Sequence, residues 1–318
     1  MTMGLHEKKI EDLTIGIVGL GLMGGAIAAA LKNCGAASAG RILGCDSDGE
    51  TLSMALAAGA IDEGFTVNAE AVQNTPETWH VSEMRGVSEM LKLCDLVFLC
   101  LNPSTLLAFM ASHMKDFREG AVITDIAGTK AAICAEMEKN LRPDLDFIPA
   151  HPMAGGEKGG FVNAGLCNFK GKNYILTPLK RNRPENLEYI QNLVRRMGFG
   201  RITITTAEDH DRKIAFTSQL CHLIAAALID CEGSLFPDDR EITRFGGGSF
   251  EDLTRIAMLN APMWTEIFLQ NSGELLKCLG QFEASLDKLR SYIEQKDSGA
   301  LSQNLYRVRE RRIAMQAK

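Results

Sequence analysis

The sequence lacks the features that mark several protein classes. Its nine cysteines contain no CxxC pair and are odd in number, which excludes a disulfide framework and the common zinc-ligand spacings. Cys34, Cys94, Cys100, Cys221 and Cys278 sit in apolar stretches and are expected to be reduced core thiols of a cytoplasmic protein, with no metal site. Basic residues form no dominating run, and 34 of them against 40 carboxylates leave a net charge of -6. Such a balance favours neither nucleic acid nor an anionic membrane as partner. No apolar run is read as approaching the roughly 20 residues of a membrane helix, and the opening MTMGLHEKKIED is too polar for an export signal. Small soluble ligands remain the expected partners.

The 318 residues, 46% hydrophobic and 23% charged, are enough for a large core and about two domains. The stretch DLTIGIVGLGLMGGAIAAALKNCG passes from a β-branched run through glycines into an alanine-rich segment, the order strand, tight turn, helix. RILGCD (41–46) follows, then a helical pattern from Asp48 to Ala58 closed by Gly59. Further strands are predicted at 95–101, 121–126, 145–150 and 173–178, and one at 201–206 is expected to complete the sheet's edge after a helix from Pro184 to Met197. Val67 to Lys92 is read as a helical excursion. Buried strands alternating with helices predict an α/β fold with a parallel, doubly wound sheet of Rossmann type over 1–206. After Ala207 the strand signals vanish, so 207–318 is expected to be an all-helical domain.

GLGLMG, from Gly19 to Gly24, matches GxGxxG. The pattern is weak alone, but here it follows a strand, opens a helix and is succeeded by Asp46 at the end of the second strand. Gly19 suits the tight turn, Gly21 lets the backbone approach a pyrophosphate, and Gly24 lets the helix pack against the strand. The amides of Leu20, Leu22 and Met23 belong to the same anion-binding turn. A carboxylate at Asp46 would repel a 2′-phosphate, and Ser47 to Glu50 supply no arginine or lysine, so NAD is expected over NADP.

Ligands of such sheets lie beyond the carboxyl ends of the strands, where LCLNPS (with Leu101 and Asn102), TDIAGTK and AHPMAGGEKGG should converge. In the last of these, His151 is followed at once by a proline without an amide hydrogen and by glycines that permit unusual backbone angles. An imidazole there is suited to taking a hydroxyl proton as hydride leaves the same carbon. A turn-capping histidine is the other reading of those local residues.

Taken together, GLGLMG, TDIAGTK, HPMAGGEKGG, SQLCHLIAAAL and GGGSFEDLTRIAMLNAPMWTEIF, in this order and spacing, resemble the prephenate dehydrogenase family of tyrosine biosynthesis over nearly the whole chain. The resemblance implies NAD-dependent oxidative decarboxylation of prephenate to 4-hydroxyphenylpyruvate, with His151 accepting the ring hydroxyl's proton. It implies that Arg255 holds a substrate carboxylate, that His222 reaches the substrate's side chain, and that Glu157 stands near the pocket entrance. Gly248 and Trp264 match residues that approach the site from the partner subunit, and the C-terminal helices are expected to form a homodimer. One departure stands out: relatives commonly carry a serine beside the catalytic histidine where this chain has Gly128, with Thr129 next to it as a substitute. Two other functions remain open at this point, an arogenate dehydrogenase using the same site and a dinucleotide-sensing protein without turnover.

Overall fold

The computed structural model describes residues 4–67, 85–156, 158–236 and 242–316. The first half builds β1 (Thr14–Val18), α1 (Leu22–Asn33), β2 (Arg41–Asp46), α2 (Gly49–Ala57), β3 (Glu63–Thr66), β4 (Arg85–Gly86), α3 (Val87–Leu93), β5 (Leu96–Leu99), α4 (Pro103–His113), β6 (Val122–Asp125), α5 (Ala131–Asn140) and β7 (Asp146–Ile148). These strands form one parallel sheet in the order β4-β3-β2-β1-β5-β6-β7. Alternate side chains of each strand enter opposite layers: Ile15, Ile17, Leu96 and Phe98 pack with α1, whereas Val97, Leu99 and Ile123 pack with α3, α4 and α5. Strand order reverses at β1, which has β2 on one side and β5 on the other. The crevice above β1 and β5 is where this topology places a ligand.

Local chemistry fixes the element ends. Asp48 caps α2 by accepting the amides of Glu50 and Thr51, and Gly59 adopts φ +66 just beyond it. The segment read as one helical excursion holds β4 and α3 instead; 68–84 lie outside the described residues. β3 and β4 were not foreseen, being short and without the β-branched run of their neighbours.

After Ile148 the chain leaves the large sheet at Pro149, which has no amide hydrogen to extend the ladder. A second sheet follows, of β8 (Ala150–Pro152), β9 (Asn173–Leu176) and β10 (Arg201–Ile204), with α6 (Pro184–Arg196) between the last two. β8 runs antiparallel to β9, and β10 parallel to it. The strand near 201 therefore completes this small sheet and not the edge of the large one.

The remainder is helical: α7 (Ala207–Ile214), a π-type turn (Ala215–Gln219), α8 (Leu220–Leu235), α9 (Gly248–Thr254), α10 (Ala261–Gln270), α11 (Ser272–Glu294) and α12 (Ser298–Gln316). Thr206 caps α7 by accepting the Asp209 amide. From α7 through α8 the chain is one helix, Ala207–Leu235, long and apolar enough by length and composition to cross a membrane. That corrects the reading of the sequence, in which scattered polar residues hid the run. Those polar residues, Ser218, Gln219 and His222, face a cavity shared with the large sheet. The thiols also divide: Cys45, Cys94 and Cys134 are buried, but Cys221 and Cys231 are exposed on α8.

Candidate active site

A cavity of about 950 Å3 opens above the switch point of the large sheet. The glycine turn forms one wall. Gly19 has φ +87, and a Cβ there would lie 2.5 Å from the Cys100 carbonyl oxygen. A Cβ on Gly24 would lie 1.8 Å from the Gly19 carbonyl oxygen, so α1 can start this close to β1 only with glycine. Gly21 differs: a Cβ there would meet nothing within 4 Å and would project into open space. Gly21 is also the N-cap of α1 and no side chain caps the helix, which leaves amides at a positive helix end facing the cavity. Gly21, Leu22, Met23, Gly24, Leu101 and Asn102 all line it. Leu20 does not, being fully buried; its amide donates to Asp46 Oδ2 at 2.7 Å. Asp46 Oδ1 accepts the Asp48 amide at 3.0 Å, so the carboxylate is held at the end of β2. These residues fit a dinucleotide: amides for the pyrophosphate, no Cβ in its path, and an oriented carboxylate with lone pairs left for ribose hydroxyls.

Opposite the turn stands His151, in the middle of β8. Its position is set from behind, because buried Asp125 accepts the Ala150 amide at 2.9 Å on Oδ1 and the Ala127 amide at 2.9 Å on Oδ2. Lys130, fully buried, pairs with the same carboxylate. Burial, then the His210 ring, then the Lys130 cation hold the His151 imidazole well below its ordinary pKa, so it is neutral at neutral pH.

The helical part supplies the third wall through Ile214, Ser218, Gln219 and His222, with Trp264 and Ile267 from α10. His222 Nδ1 lies 2.9 Å from the Ser218 carbonyl oxygen. Burial lowers its pKa. The π-type turn carries Ser218 and Gln219 and lies between Ile214 and His222, a distortion often found where a helix presents functional groups.

Several expected site residues fall elsewhere. Gly128 lines the cavity, but Thr129 does not take the place of the missing serine: it is 2% exposed and its hydroxyl donates to Gln270 Oε1 at 2.8 Å. Arg255 is exposed and stands outside the lining, although Ile256 beside it belongs to it. Gly248, at the start of α9, is also outside. Trp264 lines the cavity of its own chain. Glu157 lies outside the described residues. Three lining or supporting groups escaped the sequence reading. Lys172 lines the cavity near Asn168 and offers a cation. His210 and Asp211 back His151, and nothing in the composition of AEDHDRKIAF separates them from ordinary helix-surface residues.

A dinucleotide-type glycine turn at the switch point of a parallel sheet, sharing one cavity with a neutral histidine, defines an oxidoreductase of the nucleotide-dependent class. Comparison with known proteins narrows the class. Residues 77–203 match the family model described as prephenate dehydrogenase, nucleotide-binding domain, and 206–307 match prephenate dehydrogenase, dimerization domain. The chain is 32% identical to cyclohexadienyl dehydrogenase of Zymomonas mobilis, over 72% of its own length and 78% of that protein. It is 30% identical to prephenate dehydrogenase of Bacillus subtilis, over 94% of its own length and 74% of the other. The crystal structure of prephenate dehydrogenase from A. aeolicus in complex with hydroxyphenyl propionate and NAD+ superposes with a TM-score of 0.81 at 28% identity, covering 97% of this chain and all of that one. The protein belongs to the prephenate dehydrogenase family.

Proposed function

We propose that the protein oxidises prephenate with NAD, releasing carbon dioxide and 4-hydroxyphenylpyruvate, and that His151 is the base. The observation that carries the reading is the shared cavity: the open N-terminus of α1 and the neutral imidazole of His151 face one space large enough for both ligands. When bound, NAD supplies the hydride-accepting ring. Its phosphates fit the amides after Gly21, and Asp46 fits the ribose hydroxyls. His151 accepts the hydroxyl proton as hydride leaves the same ring carbon. Loss of the ring carboxylate as carbon dioxide then sends its bonding pair through the ring to the new carbonyl oxygen, which takes the proton back from His151 as the ring becomes an aromatic phenol. The chain therefore has chiefly to align the reactants, take one proton and give it back.

Substrate contacts are assigned to Gly128, His222 and Trp264, which line the cavity. Arg255 is assigned to a substrate carboxylate because its planar guanidinium holds one through two hydrogen bonds and because it adjoins Ile256 at the rim. We assign Glu157 to the pocket entrance and Gly248 to an approach from the partner subunit. We divide the chain into a dinucleotide-binding domain, 1–206, and a substrate and dimerisation domain, 207–318. Leu228, Ile229, Leu276, Ile293 and Leu305 are exposed in one chain, an apolar surface that a twin chain would cover. A cytoplasmic homodimer is the form we assign, and none of its nine thiols is bridged.

Measuring NADH formation with prephenate and arogenate side by side, with NAD and then NADP, tests the assignment. Prephenate with NAD should be the fastest combination. His151→Asn should lose about 10²- to 10⁴-fold in kcat, the usual worth of general-base assistance, while NAD still binds. Binding without turnover of either substrate by the unaltered protein would make it a dinucleotide sensor.

A further inference from the structure

The imidazole that faces the cavity has its other nitrogen occupied. His151 Nδ1 lies 2.9 Å from His210 Nε2, and His210 Nδ1 lies 2.7 Å from Asp211 Oδ1. His210 is 1% exposed and Asp211 5%. Neither lines the cavity, so both must act through His151.

The hydrogens in this chain of contacts follow from the fixed end. Asp211 also accepts the Lys130 amide on Oδ1 at 2.8 Å and the Ala131 amide on Oδ2 at 2.9 Å, and a carboxylate only accepts. The hydrogen of the 2.7 Å contact therefore sits on His210 Nδ1. The relay takes His210 as a ring with this one hydrogen, its lone pair on Nε2, and the hydrogen of the 2.9 Å contact then sits on His151 Nδ1. That leaves a neutral His151 with its lone pair on Nε2. Asn271 steadies the same helix turn by donating from Nδ2 to the Asp211 carbonyl at 2.8 Å and to Gln219 Oε1 at 2.9 Å.

We propose that His210 and Asp211 are positioning residues, a relay that fixes the tautomer of His151 with Nε2 free and draws off positive charge when Nε2 takes the substrate's proton. The proposal rests on the reading of His151 as the base. The proton balance is simple: the substrate's hydroxyl proton bonds to His151 Nε2, and the Nδ1 proton of His151 can pass to His210 Nε2, whose own Nδ1 proton stays against Asp211. One proton enters and one positive charge results, now beside a carboxylate instead of in a cavity backed by Lys130. The ionisable groups around His151 are His210 and Asp211 from α7, Asp125 at the end of β6, Lys130 from the segment after it, Tyr174 from the paired strand β9, Cys100 beyond β5 and His222 from α8. Of these, Asp211 is the carboxylate joined to the ring through hydrogen bonds from Nδ1.

Two variants and one spectrum test it. His210→Leu removes the acceptor; His210→Gln restores one through Oε1 but cannot pass a proton on. Leucine should lower kcat about 10²-fold or more, within the range of general-base effects, with NADH affinity changed less than about 3-fold. Glutamine should recover at least about 10-fold of that loss. In ¹⁵N-histidine spectra of the unaltered protein, His151 should be protonated on Nδ1 and bare on Nε2. A spectrum with the proton on Nε2, or a His210→Leu enzyme with unchanged kcat and pH profile, overturns the relay. If the leucine variant does not fold, the spectrum and the glutamine variant decide: glutamine as active as the unaltered enzyme leaves fixation of the tautomer and refutes proton passage. Full activity in His151→Asn is a separate failure, since it removes the base reading while the measured tautomer stands.

Discussion

Trp264 lies against His222 with ring centroids 3.9 Å apart and planes inclined by 31°. The indole from α10 and the imidazole from α8 thus form one wall of the cavity, and Phe268 extends it behind the indole at 5.3 Å. Because the Ser218 carbonyl oxygen occupies Nδ1 of His222, Nε2 is the nitrogen left to a ligand. Removing the indole frees the imidazole to rotate. Trp264→Ala should lower kcat/KM for prephenate by about 2- to 10-fold or more, because an aromatic pair is worth ~0.5–1.5 kcal/mol beyond its buried area. Trp264→Phe should lie nearer the unaltered enzyme. Steady-state kinetics check this, and an equal rise in KM for NAD would show that the wall serves the cofactor instead.

With His151 as the proposed base, turnover should depend on its ionisation. Its imidazole is held well below the ordinary 6.5, first by burial, then by His210 and Lys130. Only the neutral ring can accept a proton, so kcat/KM should stay flat from about pH 8 down through 6.5 and fall only in more acid solution. Stability shifts in the same direction. The unfolded chain binds this proton at the ordinary value and the folded chain does not. The contribution is therefore complete above about pH 6.5 and is lost as pH falls towards the folded value. A kcat/KM profile with its acid limb centred on 6.5 would contradict the burial argument.

Much of this site was legible in the sequence, for physical reasons that differ between residues. The glycine turn announces itself because Gly19 and Gly24 answer to backbone contacts that no Cβ survives, and local sequence carries that constraint. His151 was legible through Pro152 and the glycines after it. The pairing of His151 with His210 was not, because it joins residues 59 apart and depends on how α7 packs on the large sheet. Thr129 was read into the site because only the tertiary fold brings Gln270 to its hydroxyl. The second sheet was hidden for a similar reason: β9 and β10 read as ordinary strands with nothing to state which sheet they join, and β8 starts where the strand read at 145–150 was expected to end.

Cofactor choice should turn on Asp46. Its Oδ2 accepts the Leu20 amide at 2.7 Å and its Oδ1 the Asp48 amide at 3.0 Å, so truncation would unsettle the turn as well as remove the charge. Asp46→Asn separates the two effects by keeping an acceptor for Leu20. A hydrogen bond to a charged group contributes about 1.5–3 kcal/mol, so kcat/KM for NAD should fall roughly 10- to 100-fold. Turnover with NADP should rise at the same time, because the repulsion of a 2′-phosphate is gone. Parallel assays with both cofactors measure the ratio; an unchanged ratio would place ribose recognition elsewhere.

Gly21 and Gly24 are three residues apart, yet alanine should act on them in opposite ways. At Gly24 the new methyl would enter the space of the Gly19 carbonyl, 1.8 Å away, and α1 could stay in place only by moving off β1. Overpacking of that kind costs about 1–3 kcal/mol or more, so Gly24→Ala should lower the melting temperature of the free protein. At Gly21 the methyl would meet nothing within 4 Å and the backbone φ of -65 suits alanine. Gly21→Ala should therefore melt within about 0.5 kcal/mol of the unaltered protein, as surface changes do. It should nonetheless weaken NADH binding by about 10-fold or more, because the methyl stands where the pyrophosphate must approach the amides. Thermal melts and NADH fluorescence titrations on the two variants resolve the contrast. Unimpaired NADH binding in Gly21→Ala would mean that the dinucleotide does not cross the turn at that residue.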